Sequence, residues 1–426
     1  MAEYQIAVIM PVHNTGIYLE EALDSVFEQT FLNFELICVD DASEDDLTVE
    51  LLEKYQLMYK NMKVIRLEQK VGAAKARNMG LALTEAEYVI FLDSDDIFCR
   101  DMLERMYERI KETECEVCFC GFRSFAVIGQ EKLYSEERLP RAYESEPERR
   151  PEDWLTYNGK APWNKLVRRD FLDKNHISFQ TLSSSNDLYF SMLLEIRARK
   201  TCYCNAALME YRVNHTGRIS VDRDPRNGYF AVERLLNDLE ATECRRLYPS
   251  IMLFLAYNVI CEIMASEKEE CNLEAYCAVQ KLLENQMFWN PVTLEFYKQI
   301  VENFQNKTYE SRWWQTIFSH DYQYIVHGKE IKSALTGYKK IILWGLGARG
   351  KAFQKFCRRE GISLSGCTDI QNRPGYILTK YGVPVLHTAE VSQCADLIVA
   401  SNHAIYTYIL KNIQGVSVID LQDYEG

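Results

Sequence analysis

Short apolar runs and stretches of helical periodicity alternate along the first ninety residues. Four apolar runs predict buried strands, at residues 6–10, 35–39, 62–67 and 88–92. Between them, apolar residues recur at helical spacing over 18–29, about 46–58 and 73–83. Strands that alternate with helices are typical of a parallel sheet with crossover helices, so we expect an α/β fold.

Candidate functional residues lie where these strands end. Pro11 follows the first strand, Asp40 and Asp41 follow the second, and Asp93 follows the fourth. In open α/β sheets, ligands bind at the carboxyl ends of the strands. The convergence of these residues therefore favours a binding site at that edge.

The fourth strand runs into three carboxylates within four positions, Asp93, Asp95 and Asp96. Carboxylates at the mouth of a core strand need water or a partner of opposite charge, and a divalent metal ion is such a partner. Asp93 and Asp95 are two positions apart, which suits two oxygen ligands on one hard cation. The alternative is a solvated acidic loop with a helix cap at Asp95 or Asp96.

The rest of the chain contains three segments with different patterns of polar and apolar residues. Residues 130–153 are polar and rich in proline, which indicates a loop or a mobile lid, and residues 226–325 carry helical periodicity without strand signals. Apolar runs at 341–344, 364–367, 397–400 and 416–419 predict a small α/β unit. Its first turn carries Gly345, Gly347 and Gly350, and Asp369 lies where a ribose-binding acid is expected. Glycines in such a turn also serve tight strand-to-helix packing alone.

Composition limits the possible functions. The chain has 426 residues, which predicts two or three domains, and its net charge of −13 excludes nonspecific nucleic-acid binding. No run of 18 apolar residues predicts a membrane span, and the start lacks the basic region of a signal peptide. The 14 cysteines are scattered, which suits reduced thiols in a cytoplasmic protein. Cys115, Cys118 and Cys120 are expected to be strand residues rather than zinc ligands, because no second set has matching spacing.

Seven segments between residue 4 and about residue 220 resemble the family 2 glycosyltransferases of bacteria, which have the GT-A fold. They follow the order and spacing of that family over about half of the chain. The segments are VIMPVHN at 8–14, SVFEQT at 25–30, VDDAS at 39–43, AAKARN at 73–78, LDSDD at 92–96, WNKL at 163–166 and NDLYF at 186–190.

The resemblance implies a role for individual residues. Asp41 would hydrogen-bond the base of a nucleotide donor with Asp40 beside it. Pro11, His13 and Arg77 would line the nucleotide pocket. Asp93 and Asp95 would hold Mg²⁺ or Mn²⁺ against the diphosphate, and Asp187 would be the general base.

Three positions depart from the family pattern, each with consequences for these roles. Asn186 stands where the family usually has Glu. This difference concerns how well Asp187 is adapted to act as a base, and not whether it has that role. His13 stands where Tyr is frequent, and its alternative role is packing within a turn. Ala42 stands where Gly is common, which alters the turn after the second strand. Asp187 itself could instead be a helix N-cap.

The sequence as a whole predicts a GT-A glycosyltransferase domain at 1–225, a helical region at 226–330 and a Rossmann-like domain at 331–426. The expected activity is inverting, metal-dependent sugar transfer from a nucleotide diphosphate, with a UDP-sugar as the expected donor. The acceptor would be a glycan or a lipid-linked glycan of the bacterial surface, reached from the cytoplasm, with peripheral membrane contact left open. Two alternatives are an active C-terminal domain that uses NAD or a nucleotide sugar, and a binding protein without turnover. The sugar, the acceptor, the linkage and the oligomeric state are not predicted.

Overall fold

The computed structural model describes residues 3–128, 131–140, 160–212, 224–240, 251, 256, 258–260, 262–263, 266, 268–284, 302–311, 327–345, 348–368, 383–401 and 403–424. The chain divides into two compact units, Met1–Tyr309 and Glu310–Gly426. The predicted three-part division, with boundaries after residues 225 and 330, stays a prediction. Within the described residues, no helix has the length and hydropathy to cross a membrane.

The first half of the large unit alternates strands and helices, as the pattern predicts. Its elements are β1 (Ile6–Val12), α1 (Tyr18–Phe27), β2 (Phe34–Asp40), α2 (Asp46–Met58), β3 (Met62–Arg66), α3 (Ala73–Ala82) and β4 (Tyr88–Phe91). The four strands are parallel, in the order β3-β2-β1-β4. Every residue of β1, β2 and β4 is buried, which explains why these strands are continuous apolar runs rather than alternating ones.

The first strand is longer than the sequence predicts. It continues through Pro11 to Val12, although proline cannot donate to a sheet ladder. Pairing with β4 ends at Ile9 and Phe91, and Pro11 lies beyond that point, where its strand borders β2 alone. The missing N–H therefore removes no bond to β4.

The second half of the large unit extends the same sheet. The further elements are β5 (Ile97–Phe98), α4 (Met102–Thr113), β6 (Val117–Ile128), β7 (Glu131–Arg138), β8 (Lys165–Arg168), α5 (Arg169–Lys174), α6 (Asn186–Arg197) and β9 (Thr201–Arg212). The described strands form a nine-stranded sheet in the order β3-β2-β1-β4-β8-β6-β9-β5, with β7 paired to β6. β8 is antiparallel to β4, and β6 is antiparallel to β8, so the sheet is mixed.

Two predictions from the sequence concern this half of the sheet. The loop predicted for 130–153 is wrong at its start, because β7 pairs with β6 as an antiparallel hairpin; residues 141–153 lie outside the described part of the chain. The predicted place in a strand is confirmed for Cys118 and Cys120, which are buried in β6, and is wrong for Cys115, which is buried just before β6.

Helices follow β9, as the periodicity predicts. They include α7 (Pro225–Glu240) and α8 (Glu269–Glu284), and residues 258–260 and 262–263 between them are also helical. Tyr189 of α6 donates a hydrogen bond from its hydroxyl to Asp238 of α7 at 2.5 Å. The helical segment is therefore bonded to α6 within the unit that contains the large sheet.

The small unit is a separate parallel sheet. Its elements are α9 (Gly328–Leu335), β10 (Ile341–Trp344), α10 (Ala348–Glu360), β11 (Gly366–Thr368), α11 (Thr388–Cys394), β12 (Leu397–Ala400), α12 (His403–Asn412) and β13 (Ser417–Asp420). The strand order is β11-β10-β12-β13, and all pairs are parallel. This order, with strands added on both sides of the first, is the flavodoxin-like order of a doubly wound α/β sheet.

Candidate active site

The register of the large sheet brings the predicted site residues to one edge. Val12 pairs with Asp40, and Ile9 pairs with Phe91, two positions before Asp93. Because β1, β2 and β4 are adjacent and parallel, their carboxyl ends meet at this edge. Pro11, Asp40 and Asp93 are therefore neighbours in space, as their positions after apolar runs predict.

Asp40 and Asp41 are both buried and both bind backbone. Asp40 accepts a hydrogen bond from the Ser43 N–H at 2.9 Å, and Arg66 Nε lies 3.5 Å from its other oxygen. Asp41 accepts from the N–H groups of Val71 at 2.6 Å and Gly72 at 2.8 Å, one to each carboxylate oxygen. Asp41 thus fixes the loop that leads into α3. Each oxygen has a second lone pair with which it could accept from a ligand.

His13 is joined to the same turn. Its Nδ1 lies 2.8 Å from the carbonyl oxygen of Asp41, a geometry in which Nδ1–H donates. That tautomer leaves Nε2 as an acceptor. The bond supports the packing role that the sequence left open for His13, and it leaves one ring nitrogen for a ligand.

Arg77 bridges two distant segments. It extends from α3, and its Nη2 donates to Asp93 Oδ1 at 2.5 Å while its Nη1 donates to Asn186 Oδ1 at 2.9 Å. The guanidinium also lies over the Phe179 ring, 5.2 Å from its centroid. Only 7% of the side chain is exposed. In this arrangement Arg77 binds protein groups, and its predicted place in the lining of a nucleotide pocket stays a prediction.

Negative charge is concentrated around Asp93. Burial raises the pKa of Asp93, its ion pair with Arg77 lowers it, and the nearby carboxylates of Asp95 and Asp187 raise it further. Asp95 and Asp187 therefore both lie close enough to Asp93 to interact with it electrostatically. A site of this kind is stabilised by an added cation.

Asp93 and Asp95 suit a divalent metal ion held jointly with a substrate. Among the described residues, no group of three or more His, Cys, Asp or Glu side chains could hold a metal ion by itself. Mg²⁺ commonly binds one or two carboxylates and takes its other ligands from water and substrate phosphates. The two-carboxylate set at Asp93 and Asp95 fits that mode and does not fit a metal cage made wholly of protein.

The loop that carries Asp95 is fixed by Arg212 at the end of β9. The Arg212 N–H donates to Asp96 Oδ1 at 2.8 Å, and its Nε donates to the Asp95 carbonyl at 2.9 Å. Its Nη2 donates to Glu21 at 2.8 Å. Asp96 is therefore a buried structural residue, and the solvated-loop alternative does not describe it. The sequence gives no indication of Arg212, because its partners lie more than a hundred positions earlier.

Asp187 lies in the first turn of α6, and the N-cap of that helix is Ser185. The prediction that Asp187 could itself be the N-cap is wrong. A carboxylate in the first turn still interacts favourably with the helix dipole. Its neighbour Asn186 is buried and bonded to Arg77, so the helix start is connected to Asp93 through one guanidinium.

A buried lysine lies near this carboxylate. Lys165 of β8 is fully buried and donates to the carbonyl of Ala161 at 2.7 Å and to Asn164 Oδ1 at 2.9 Å. Burial lowers the pKa of Lys165 to about 8, while the charges of Glu195 and Asp187 oppose this shift. The WNKL segment identifies Lys165 as part of a motif, but the sequence gives it no role.

The glycine turn of the small unit is built for close packing. A Cβ at Gly345 would lie 1.9 Å from Ser401 Oγ, and one at Gly350 would lie 1.8 Å from the Gly345 carbonyl oxygen. Gly345 also has a φ of 108°, which side chains rarely adopt. Both glycines are thus required by packing alone. Gly347 and Asp369 lie outside the described residues, so nucleotide binding by this unit stays a prediction.

Comparison with known proteins adds independent information. Residues 7–175 match the family model described as glycosyl transferase family 2. The chain is 32% identical over 185 residues to glycosyltransferase GlyG of Streptococcus pneumoniae, a match that covers 41% of this chain and 60% of GlyG. It is 29% identical over 241 residues to the poly(ribitol-phosphate) beta-N-acetylglucosaminyltransferase TarP of Staphylococcus aureus, covering 53% of this chain and 69% of TarP.

A solved structure shares the fold. The crystal structure of S. aureus TarS superimposes with a TM-score of 0.54 at 22% identity, over 74% of this chain and 54% of TarS. At this identity the likeness concerns the fold. The chain spans less than two thirds of the length of GlyG and of TarS.

Proposed function

We propose that this protein transfers a sugar from a UDP-sugar to a hydroxyl group of an acceptor glycan, with inversion at the anomeric carbon. The match of residues 7–175 to the family 2 glycosyltransferase model and the fold shared with TarS support the proposal. The observation that carries the proposal is the bridge formed by Arg77. It joins Asp93 of the acidic loop to Asn186, the neighbour of Asp187. This bridge supports the assignment of the candidate metal ligands and the candidate base to one site.

Asp187 is the proposed general base. As the acceptor oxygen bonds to the anomeric carbon, the bond from that carbon to the diphosphate breaks and its electron pair leaves with the diphosphate. The acceptor proton passes to the Asp187 carboxylate. Inversion requires the base on the face of the sugar opposite the leaving group. A base carried by α6, an element separate from the acidic loop, is compatible with that requirement.

Asp93 and Asp95 are the proposed ligands of Mn²⁺ or Mg²⁺. A divalent cation held there, when bound, neutralises the charge that develops on the departing diphosphate. The protein contributes a fixed geometry: Arg77 orients Asp93, and Arg212 holds the Asp95 carbonyl. The chain is acidic overall. Without a cation, the two negatively charged carboxylates would repel the negatively charged diphosphate.

Asp41 is the proposed partner of the donor base. Its oxygens act only as acceptors, which suits the N3–H of uracil, whereas cytosine has no such donor. Asp41→Asn is a poor test of this role, because it would place an amide NH₂ against the Val71 or Gly72 N–H. A comparison of nucleotides tests the role without disturbing that turn.

The proposed acceptor class is a bacterial cell-surface polymer. It rests on the name of TarP, which acts on poly(ribitol-phosphate), and on the resemblance to bacterial family members. We propose that the acceptor is reached from the cytoplasm. The same name, with its N-acetylglucosaminyl group, makes UDP-N-acetylglucosamine the first donor to test.

The experiment is a binding and turnover panel. UDP-, GDP-, CDP- and dTDP-sugars are titrated by calorimetry with MnCl₂ and with EDTA, and nucleotide release is then measured with poly(ribitol-phosphate) as acceptor. We expect UDP-sugars to bind most tightly, dTDP-sugars next and CDP-sugars poorly, with turnover abolished by EDTA. Equal binding of CDP-sugars would reject the role of Asp41. Full turnover in EDTA would reject the metal.

A further inference from the structure

Three consecutive serines precede the helix that carries Asp187, and the helical segment after β9 binds all three. Asn227 of α7 donates from Nδ2 to Ser183 Oγ at 2.8 Å and to Ser184 Oγ at 3.0 Å. Ser185 Oγ donates to the carboxylate of Glu262. We refer to Ser183, Ser184 and Ser185 as the serine turn.

Ser185 has an unusual conformation for a helix N-cap. Its φ is 54°, in the left-handed region, and its hydroxyl makes no capping bond to α6. Serine at an N-cap position ordinarily accepts a hydrogen bond from the first turn of its own helix. Here the hydroxyl is directed to Glu262 instead, so an interaction outside α6 stabilises the conformation at its start.

Glu262 is buried and hydrogen-bonded. It is 1% exposed, and one carboxylate oxygen also accepts from Asn258 Nδ2 at 3.3 Å. A Cβ at Gly228 of α7 would lie 2.6 Å from the other oxygen. Glycine at this position therefore lets α7 approach the carboxylate.

Arg77 holds the first residue of α6. It donates to Asn186 Oδ1 at 2.9 Å. Asp187 is thus preceded by two residues that are each bonded to a buried charged side chain, Ser185 to Glu262 and Asn186 to Arg77. A displacement of a reacting group by about 1 Å can cost about 100-fold in rate, so these bonds act where small shifts matter most.

We propose that Glu262 and Asn227 are positioning residues for the general base, acting through the serine turn on Asp187. The inference rests on the proposed function, because it assigns Asp187 the role of base. The helical segment that contains Asn227 and Glu262 is then a part of the catalytic centre. The opposing view is that these bonds only stabilise the fold.

A matched pair of serines on the same helix separates the two views. Ser185→Ala removes the bond to Glu262. Ser191→Ala removes one hydrogen bond from the same helix, from Ser191 Oγ to the Lys160 carbonyl at 2.5 Å, farther along α6. Both variants lose one hydrogen bond, and Ser185→Ala should lower the melting temperature more, because its bond goes to a buried carboxylate.

The two serine variants should differ in turnover. With UDP-N-acetylglucosamine, MnCl₂ and poly(ribitol-phosphate), we expect Ser185→Ala to lower kcat by about 10- to 100-fold, with the Kd for UDP unchanged. Ser191→Ala should keep the wild-type kcat. Glu262→Gln retains an acceptor oxygen for Ser185 and should keep most of the activity, whereas Gly228→Ala, which must displace Glu262, should reproduce the loss.

Asp187→Asn, measured in the same series, distinguishes the failure of this inference from that of the proposed function. If Asp187→Asn keeps normal turnover, the base assignment is wrong and the inference is overturned with it. If Asp187→Asn is inactive while Ser185→Ala and Ser191→Ala have equal kcat, the inference alone is overturned. A loss of UDP affinity in Ser185→Ala equal to its loss of kcat would also overturn it, because it would show general damage.

Discussion

At the scale of single residues, Ala42 carries a conformational cost next to the site. Its φ is 56°, in the left-handed region, between buried Asp41 and Ser43. An L-residue other than glycine is strained in this region by about 1–2 kcal/mol. Glycine is common here in the resembling family, so the departure read from the sequence has a physical consequence at this turn.

The cost of Ala42 can be measured directly. We expect Ala42→Gly to raise the free energy of unfolding by about 1 kcal/mol, since relief of the strain exceeds the extra entropy that glycine gives the unfolded chain. Urea denaturation measures the change. Ala76→Gly, within α3, is the control and should destabilise by about 1 kcal/mol or more. A loss of stability in Ala42→Gly would mean that the left-handed conformation is not strained.

Residue roles were only partly predictable from the sequence. The candidate acids were visible because they follow apolar strands, but the partners of Arg77 were not. Arg77 reaches Asp93, 16 positions later, and Asn186, 109 positions later. No local pattern encodes a bond of that separation, so the sequence predicts that Arg77 belongs to the site without revealing which protein groups it binds. Arg212 and Glu262 escaped notice for the same reason.

At the scale of elements, the contact between α3 and β1 fixes the position of the helix that carries Arg77. A Cβ at Gly80 of α3 would lie 2.5 Å from Ile9 Cγ2. Glycine normally weakens a helix interior by about 1 kcal/mol relative to alanine. Its presence here is explained by the close approach of α3 to the buried strand.

Substitution at Gly80 should therefore reverse the usual helix preference. We expect Gly80→Ala to destabilise the protein by about 1–2 kcal/mol, because overpacking against Ile9 outweighs the gain in helix propensity. In the double variant with Ile9→Ala, the penalty from Gly80→Ala should disappear. Denaturation of the four proteins of this cycle provides the coupling energy, and additive effects would contradict the packing explanation.

Element types were most predictable where the chain is periodic. The parallel half of the sheet follows from apolar runs and helical stretches, and α2 has the predicted bounds of about 46–58. The antiparallel half was harder, because β7 reads EKLYSEER, a polar sequence with the composition of a loop. Its pairing with β6, a tertiary interaction, outweighs its local preference.

At the scale of the whole molecule, buried ionisable groups make stability depend on pH. Burial lowers the pKa of Lys165 to about 8, compared with about 10.4 in an unfolded chain. Between these values the unfolded chain holds a proton that the folded chain has lost. The contribution of Lys165 to the free energy of unfolding therefore rises with pH in this window. Buried thiols such as Cys38, whose pKa burial raises, act in the opposite direction.

A difference measurement isolates the lysine from the thiols. We expect the free energy of unfolding of the wild type, minus that of Lys165→Met, to increase by about 2 kcal/mol between about pH 8 and pH 10. Chemical denaturation at several pH values measures both proteins. Parallel curves for the two proteins would show that Lys165 titrates normally in the folded state.

The most direct test of the account concerns Asp187, the proposed base. Asp187→Asn keeps the size of the side chain but cannot take the acceptor proton. In the assay with UDP-N-acetylglucosamine, MnCl₂ and poly(ribitol-phosphate), the account predicts a fall in kcat of about 10²–10⁴-fold. It predicts a Kd for UDP within about twofold of wild type, because a base that acts on the acceptor contributes mainly to the transition state. Turnover close to wild type in the folded variant would contradict the account.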